Sequence, residues 1–148
     1  MNRIEVNLAT GVQSVIELTP AEIAALPTLT LQQAQEAQIQ ALVKAYQSAI
    51  AQPVSYTSKG GATKFYQADA QSIANLSQMM LAFVGTQILP TGFYWVCADN
   101  TKVPFVYADL QGLAAAMGAQ GFAAFDSLQT KKAAVLSATT VQAVQAII

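Results

Sequence analysis

The sequence predicts an α+β fold, helix-dominated, with short antiparallel β-hairpins packed on helices. Two pairs of strand-like runs bracket turn residues. Val54-Ser-Tyr-Thr-Ser and Ala62-Thr-Lys-Phe-Tyr-Gln flank Lys59-Gly60-Gly61; Gly92-Phe-Tyr-Trp-Val-Cys-Ala and Thr101-Lys-Val-Pro-Phe-Val flank Asp99-Asn100. Between the pairs, the residues from Asp69 to about Val84 follow the helical period, and Asp109 opens a further helix. Most of the aromatic side chains fall within 54–109, which places the core there.

Taken in order, Ile4-Glu-Val-Asn-Leu alternates, and Val12-Gln-Ser-Val-Ile-Glu-Leu does so more loosely, around Ala9-Thr10-Gly11. That pattern predicts a hairpin, and a lone hairpin is marginal in water, so it must pair or pack on something. Thr19-Pro20-Ala21-Glu22 predicts a helix start: Thr19 as N-cap, Pro20 at the first helical position, Glu22 completing a capping box. Pro27 stops that helix. Thr30 then caps a longer one to about Gln52, where Pro53 ends it. Its apolar stripe is Leu31, Ile39, Leu42, Tyr46 and Ala49, with Gln32 and Gln35 at the equivalent upstream places. The stripe fits one face on the core, and its 3-4-3 spacing from Ile39 onward also fits a short coiled-coil seam.

In the Asp69 helix, Ile73, Leu76, Met80, Phe83 and Val84 share a face. Met79, Leu81 and Ala82 widen it towards a nearly encircled helix, with Gly85 as the expected C-cap. After Asp109, the residues Leu110, Leu113 and Met117 form one face. Gly118 and Gly121 predict a break or hinge before the pattern resumes at Phe122. Ser137-Ala-Thr-Thr predicts another break, then a short terminal helix from Val141. Two regions are expected: 1–53, an N-terminal hairpin plus a helical assembly region, and 54–148, a hairpin-helix-hairpin-helix domain.

Composition narrows the chemistry. A chain of 148 residues has the usual length of one domain. Net charge is −1, so there is no electrostatic case for nucleic acid or an anionic membrane. No apolar run approaches a membrane span, and Met1-Asn-Arg-Ile-Glu-Val lacks the apolar run of a signal peptide. Only 10% of residues are charged, against about 25% in a typical soluble domain, which is more natural when partners cover much of the surface. There is no His, the commonest general base and metal ligand. One cysteine, Cys97, excludes an internal disulfide and any multi-Cys metal site, and fits a reducing compartment.

The candidate residues for chemistry have structural explanations. Asp69 and Asp109 precede helices, where a carboxylate accepts backbone N–H groups. Asp99 falls in a turn, where Asp tolerates positive φ. Cys97, beside Trp95 and with no His to activate it, reads as a buried inert thiol. Lys59-Gly60-Gly61 lacks the spacing of a phosphate loop, and Lys131-Lys132 is a solvated pair near a helix end. Tyr56, Phe65, Tyr66, Phe93, Tyr94, Trp95, Phe105 and Tyr107 crowd the hairpins; without a basic groove they read first as core, then as a protein or glycan contact surface. No catalytic, cofactor-binding or metal-ligating set is predicted, and no cofactor.

Several stretches carry a family pattern. Tyr56…Phe65-Tyr66-Gln67-Ala68-Asp69…Ser72…Asn75-Leu76 is followed by Trp95-Val96…Asp99-Asn100…Val103. Asp109-Leu110 then leads a helical tail with Lys131-Lys132 and Ala138-Thr139-Thr140. Over roughly residues 54–148 this resembles an uncharacterised domain of small tail-fibre-associated proteins of tailed bacteriophages. The leader around Leu18-Thr-Pro-Ala-Glu is similar to those of such phage proteins. The sequence departs from the pattern at Asn100, where Gly is commoner, and in Gly118 and Gly121.

The resemblance implies a non-enzymatic structural protein of the phage tail. It would be made in the host cytoplasm and would contact other tail proteins of the fibre, baseplate or tail tip. A homo-oligomer is expected, a trimer among the options. It implies neither nucleic acid nor membrane as partner. A fibre-assembly chaperone is the alternative role, and a host-glycan-binding or glycan-degrading module is the less favoured one. An enzyme acting on glycans ranks last because it would need paired carboxylates, and the sparse acids fall at caps and turns.

Overall fold

The computed structural model describes residues 2–6, 10–21 and 29–148. In chain order its elements are β1 (Asn2–Val6), β2 (Gln13–Glu17), α1 (Leu31–Ile50), β3 (Val54–Thr57), β4 (Thr63–Tyr66), α2 (Ala70–Phe83), β5 (Tyr94–Val96), β6 (Lys102–Pro104), α3 (Tyr107–Ser137) and α4 (Val141–Gln145). The strands pair as three antiparallel two-stranded ribbons, β1–β2, β3–β4 and β5–β6. This is the expected helix-dominated α+β architecture.

The chain divides into two compact units, Met1–Thr30 and Leu31–Ile148. The boundary expected at 53/54 therefore lies instead at 30/31. The reason is packing: α1 lies against α3 and α4 rather than belonging to an N-terminal region. Its apolar stripe is taken up within its own chain. Ala34 and Leu42 are buried with Leu128, Val135 and Val144, while Leu31, Ile39 and Tyr46 pack at the margin.

In the first unit, β1 and β2 pair Ile4 with Val15 and Val6 with Gln13, as a hairpin. Gly11 takes φ +69° in the connection, a value that favours glycine. Pro20 and Ala21 are helical. The remainder of the expected short helix, with Glu22 and Pro27, lies outside the described residues, as do Asn7, Leu8 and Ala9 of the expected strand and turn.

The 31-residue helix α3 is the spine of the second unit. Its first half buries Leu110, Leu113 and Met117 against β3, β4, β6 and α2. Its second half buries Leu128 and Val135 against α1 and α4. The break expected at Gly118 and Gly121 is absent, and the helix runs through both. A glycine in a helix interior costs about 1 kcal/mol relative to alanine, whereas burying one Leu or Val side chain contributes about 1.5–3 kcal/mol. Burial on both sides of the glycines outweighs the local propensity.

Glutamines link the helices. Gln120 Nε2 of α3 donates to the carbonyls of Ala49 (3.1 Å) and Gln52 (2.9 Å) at the end of α1. Gln35 Nε2 of α1 donates to the carbonyls of Val135 (3.1 Å) and Ala138 (3.3 Å) at the end of α3. Each of these antiparallel helices thus satisfies C-terminal carbonyls of the other. The five-residue α4 is too short to persist on propensity. It is held by fully buried Val144, by Thr140 Oγ1 accepting from Ala143 N–H at 3.1 Å, and by Gln38 donating to the Ile147 carbonyl. The break expected at Ser137-Ala-Thr-Thr is present.

Helix α2 is capped as expected: Asp69 accepts from Ser72 N–H at 3.0 Å and Ser72 Oγ at 2.9 Å. It is not encircled, however. Leu76 is buried and Met79, Met80 and Phe83 pack on the core, but Ile73, Leu81 and Val84 are exposed. Gly85 does not supply the left-handed residue after this helix; Gln87 does, at φ 53°.

Candidate functional site

The two central hairpins turn where the sequence indicates. Gly61 has φ +84° and Asn100 φ 62°. The hairpins are joined edge to edge: Ala98 N–H donates to the Phe65 carbonyl at 2.8 Å, and Lys64 Nζ pairs with Asp99 Oδ2 at 2.9 Å. Asp99 also accepts from the Thr101 hydroxyl and backbone N–H. The Thr101 hydroxyl first and the Lys64 ammonium second hold its carboxyl well below the usual carboxylate range. Asp69 is likewise lowered, chiefly by the Ser72 N–H.

Asp109 is placed differently from expectation. The helix begins at Tyr107, so Asp109 lies inside its first turn rather than at the N-cap, and it is 1% exposed. Its Oδ2 reaches back to Val106 N–H at 2.9 Å, while Oδ1 accepts Lys59 N–H at 2.6 Å and the Tyr56 hydroxyl at 3.2 Å. A carboxylate can accept about four such bonds, and three here come from separate elements, so the group is a clamp. It fixes the Lys59-Gly60-Gly61 turn to α3. Tyr56 lies along Gly112, where a Cβ would stand 2.6 Å from the ring Cε2 and 2.7 Å from Cζ.

The aromatic cluster is core, with one margin open. Tyr56, Tyr66 and Phe105 meet with ring centroids 5.4–6.2 Å apart. Trp95 stacks on Phe105 at 6.3 Å and meets Phe93 at 6.3 Å. Tyr66 is fully buried and its hydroxyl lacks a hydrogen-bond partner among the described residues. Burial first, then the neighbouring Cys97 thiol and Asp109 carboxylate, hold that hydroxyl well above its usual range. Cys97 is a buried free thiol. Tyr107 donates to the Met80 carbonyl at 3.0 Å, tying α3 to α2. Phe65 is exposed, and Lys102 Nζ sits 4.5 Å over the Tyr94 ring.

Between α2 and the β5–β6 ribbon lies an open cleft of about 470 Å³. Phe93, Tyr94 and Trp95 form its ribbon wall. Gln67, Asn75, Gln78 and Asn100 bring carboxamides to it, and no Asp, Glu, Lys or Arg lines it. Trp95 is half-buried there rather than enclosed in the core. Asp69, Asp99 and Asp109 do not line the cleft. Among the described residues, no three His, Cys, Asp or Glu side chains gather as a metal-ligand set. Nor is any helix among them long and apolar enough to cross a membrane. Sequence reasoning missed the cleft as a set of amides, because Asn75 and Gln78 on the exposed face of α2, Gln67 before it and Asn100 in a turn share no spacing signal.

A helix-dominated α+β domain built on one long helix, with an amide- and aromatic-lined cleft beside its hairpins, is what fold and site define. Residues 33–148 match the family described as Domain of unknown function (DUF4376), and the chain belongs to that family. The match includes nearly all of α1, in keeping with the packing of that helix. No curated protein and no solved structure matches the chain.

Proposed function

We propose that the chain is a non-enzymatic structural subunit of a bacteriophage tail, at the fibre, baseplate or tail tip, acting through protein–protein contacts. The phage context comes from the resemblance over residues 54–148. The observation that carries the assembly role is the β1–β2 ribbon. Ile4, Val6 and Val15 alternate onto one face of this two-stranded ribbon and are 66%, 48% and 68% exposed. Val12, just before β2, is 61% exposed. A two-stranded ribbon with an apolar face so exposed is marginal alone, and a ribbon edge is a place where a neighbouring chain can add a strand. The partner is another tail protein or a second copy of this chain, in a homo-oligomer such as a trimer.

Helix α1 no longer supports the assembly reading, since its stripe faces α3 and α4. The sparse charge favours a resident subunit over a released chaperone: a chaperone must stay soluble alone, whereas a subunit has its surface covered. The test is deletion of residues 1–18. Both hydrophobic clusters lie within 31–148, so the shortened chain is expected to keep its far-ultraviolet circular dichroism and melting transition while losing association with particles. Particle association at the full-length level would overturn the proposal.

A further inference from the structure

We propose that the cleft between α2 and the β5–β6 ribbon binds a neutral saccharide, of one or two sugar units. This goes beyond the structural role and rests on the cleft alone. Three observations carry it. The first is the wall: the half-buried Trp95 indole, backed by Phe105 and flanked by Phe93, offers an aromatic surface. Such a surface suits the C–H face of a pyranose, which is apolar although the ring edge is not.

The second is the amides. Gln67, Gln78 and Asn100 make no side-chain hydrogen bond among the described residues, and Asn75 accepts from Gln71 at 2.8 Å, leaving its NH₂ group free. Each carboxamide offers a donor and an acceptor on adjacent atoms, which matches the vicinal hydroxyls of a sugar, themselves both donors and acceptors.

The third is charge. No Lys, Arg, Asp or Glu is in the lining. Beside it, Lys102 Nζ is held 4.5 Å over the Tyr94 ring and the Asp69 carboxylate is taken by Ser72, so the cleft presents no cluster of charge for a phosphate, a carboxylate or an ammonium group. A nucleic acid would need a basic groove beside the aromatics. The volume, about 470 Å³, falls in the range of small-molecule sites and has room for one or two sugar rings.

The chain has one tryptophan, so its fluorescence reports on this wall directly. The full chain is titrated with glucose, galactose, mannose, rhamnose, N-acetylglucosamine, lactose and cellobiose, and with glucuronic and N-acetylneuraminic acids as charged probes. At least one neutral sugar is expected to shift Trp95 emission saturably at millimolar concentrations. The Asn75→Ala/Gln78→Ala double variant, altered only at exposed α2 positions and checked for unchanged melting, is expected to weaken that titration at least tenfold. Absence of saturation with every neutral probe, saturation by the acidic sugars alone, or a double variant that titrates like the parent overturns the proposal. A negative result leaves the tail-subunit reading intact, because that is tested by particle association.

Discussion

Asp109 of α3 accepts the backbone N–H of Lys59 at 2.6 Å, across 50 residues of sequence, and so fixes a hairpin turn to the spine helix. The same carboxylate takes the Tyr56 hydroxyl and Val106 N–H. Removing it strands three donors whose bonds to it are part-buried. Asp109→Ala is expected to lower unfolding free energy by about 3 kcal/mol or more, since one unsatisfied buried group alone costs about 1–3 kcal/mol. Asp109→Asn keeps a carbonyl acceptor and is expected to lose less. Urea denaturation followed by circular dichroism reads both; equal stability of Asp109→Ala and the parent would refute the clamp.

The glycines of α3 separate cleanly. At Gly118 and Gly121 an added Cβ meets open space, so alanine at either is expected to stabilise by about 0.5–1 kcal/mol through helix propensity. At Gly112 the Cβ falls on the Tyr56 ring, and overpacking there is expected to cost about 1–3 kcal/mol. In a Tyr56→Ala background that cost disappears, which a double-mutant cycle measures. A destabilising Gly118→Ala would mean that the helix is hinged there after all.

The paired glutamine caps of α1 and α3 make a third expectation. Gln35→Ala and Gln120→Ala each remove a side chain that serves two or more terminal carbonyls. Each is expected to cost about 1 kcal/mol, the usual net value of a hydrogen bond, and thermal melts resolve that difference. No change in the melting temperature of either variant would show that water serves those carbonyls equally well.

Much of this arrangement was legible in the sequence, and the failures have a common cause. The hairpins were readable from Gly61 and Asn100, and the Asp69 cap from its place before an apolar helix, because turns and N-caps are decided by neighbours in sequence. Asp109 was readable as a helix-start acid but not as a clamp, since its Tyr56 and Lys59 partners lie 53 and 50 residues away. Gly118 and Gly121 misled because propensity is local, while the burial that overrides it comes from two separate clusters. Gln35 looked like a gap in an apolar stripe and proves to be a cap for α3. The cleft amides were invisible for the same reason: only the tertiary fold brings Gln67, Gln78 and Asn100 together.

The pH dependence has two limbs. Asp99 has its folded value depressed, by the Thr101 hydroxyl first and Lys64 second. Its contribution is complete above the unfolded value of about 4 and is lost as pH falls towards the lower folded value. Tyr66 has its folded value raised, by burial first. Its contribution is present below about pH 10 and is lost as pH rises through the folded value. Asp99→Asn is expected to flatten the acid limb of the melting-temperature profile, and Tyr66→Phe the alkaline limb. Profiles that superimpose on the parent would contradict these assignments.

Quantitative mass spectrometry of phage particles, purified by density gradient from the cells that produce this chain, tests the structural-subunit proposal most directly. A resident tail subunit is expected at a fixed copy number relative to the major tail proteins, retained through successive gradients. A chain that is abundant in the lysate and absent from the particles would contradict that proposal and assign it to a released assembly factor.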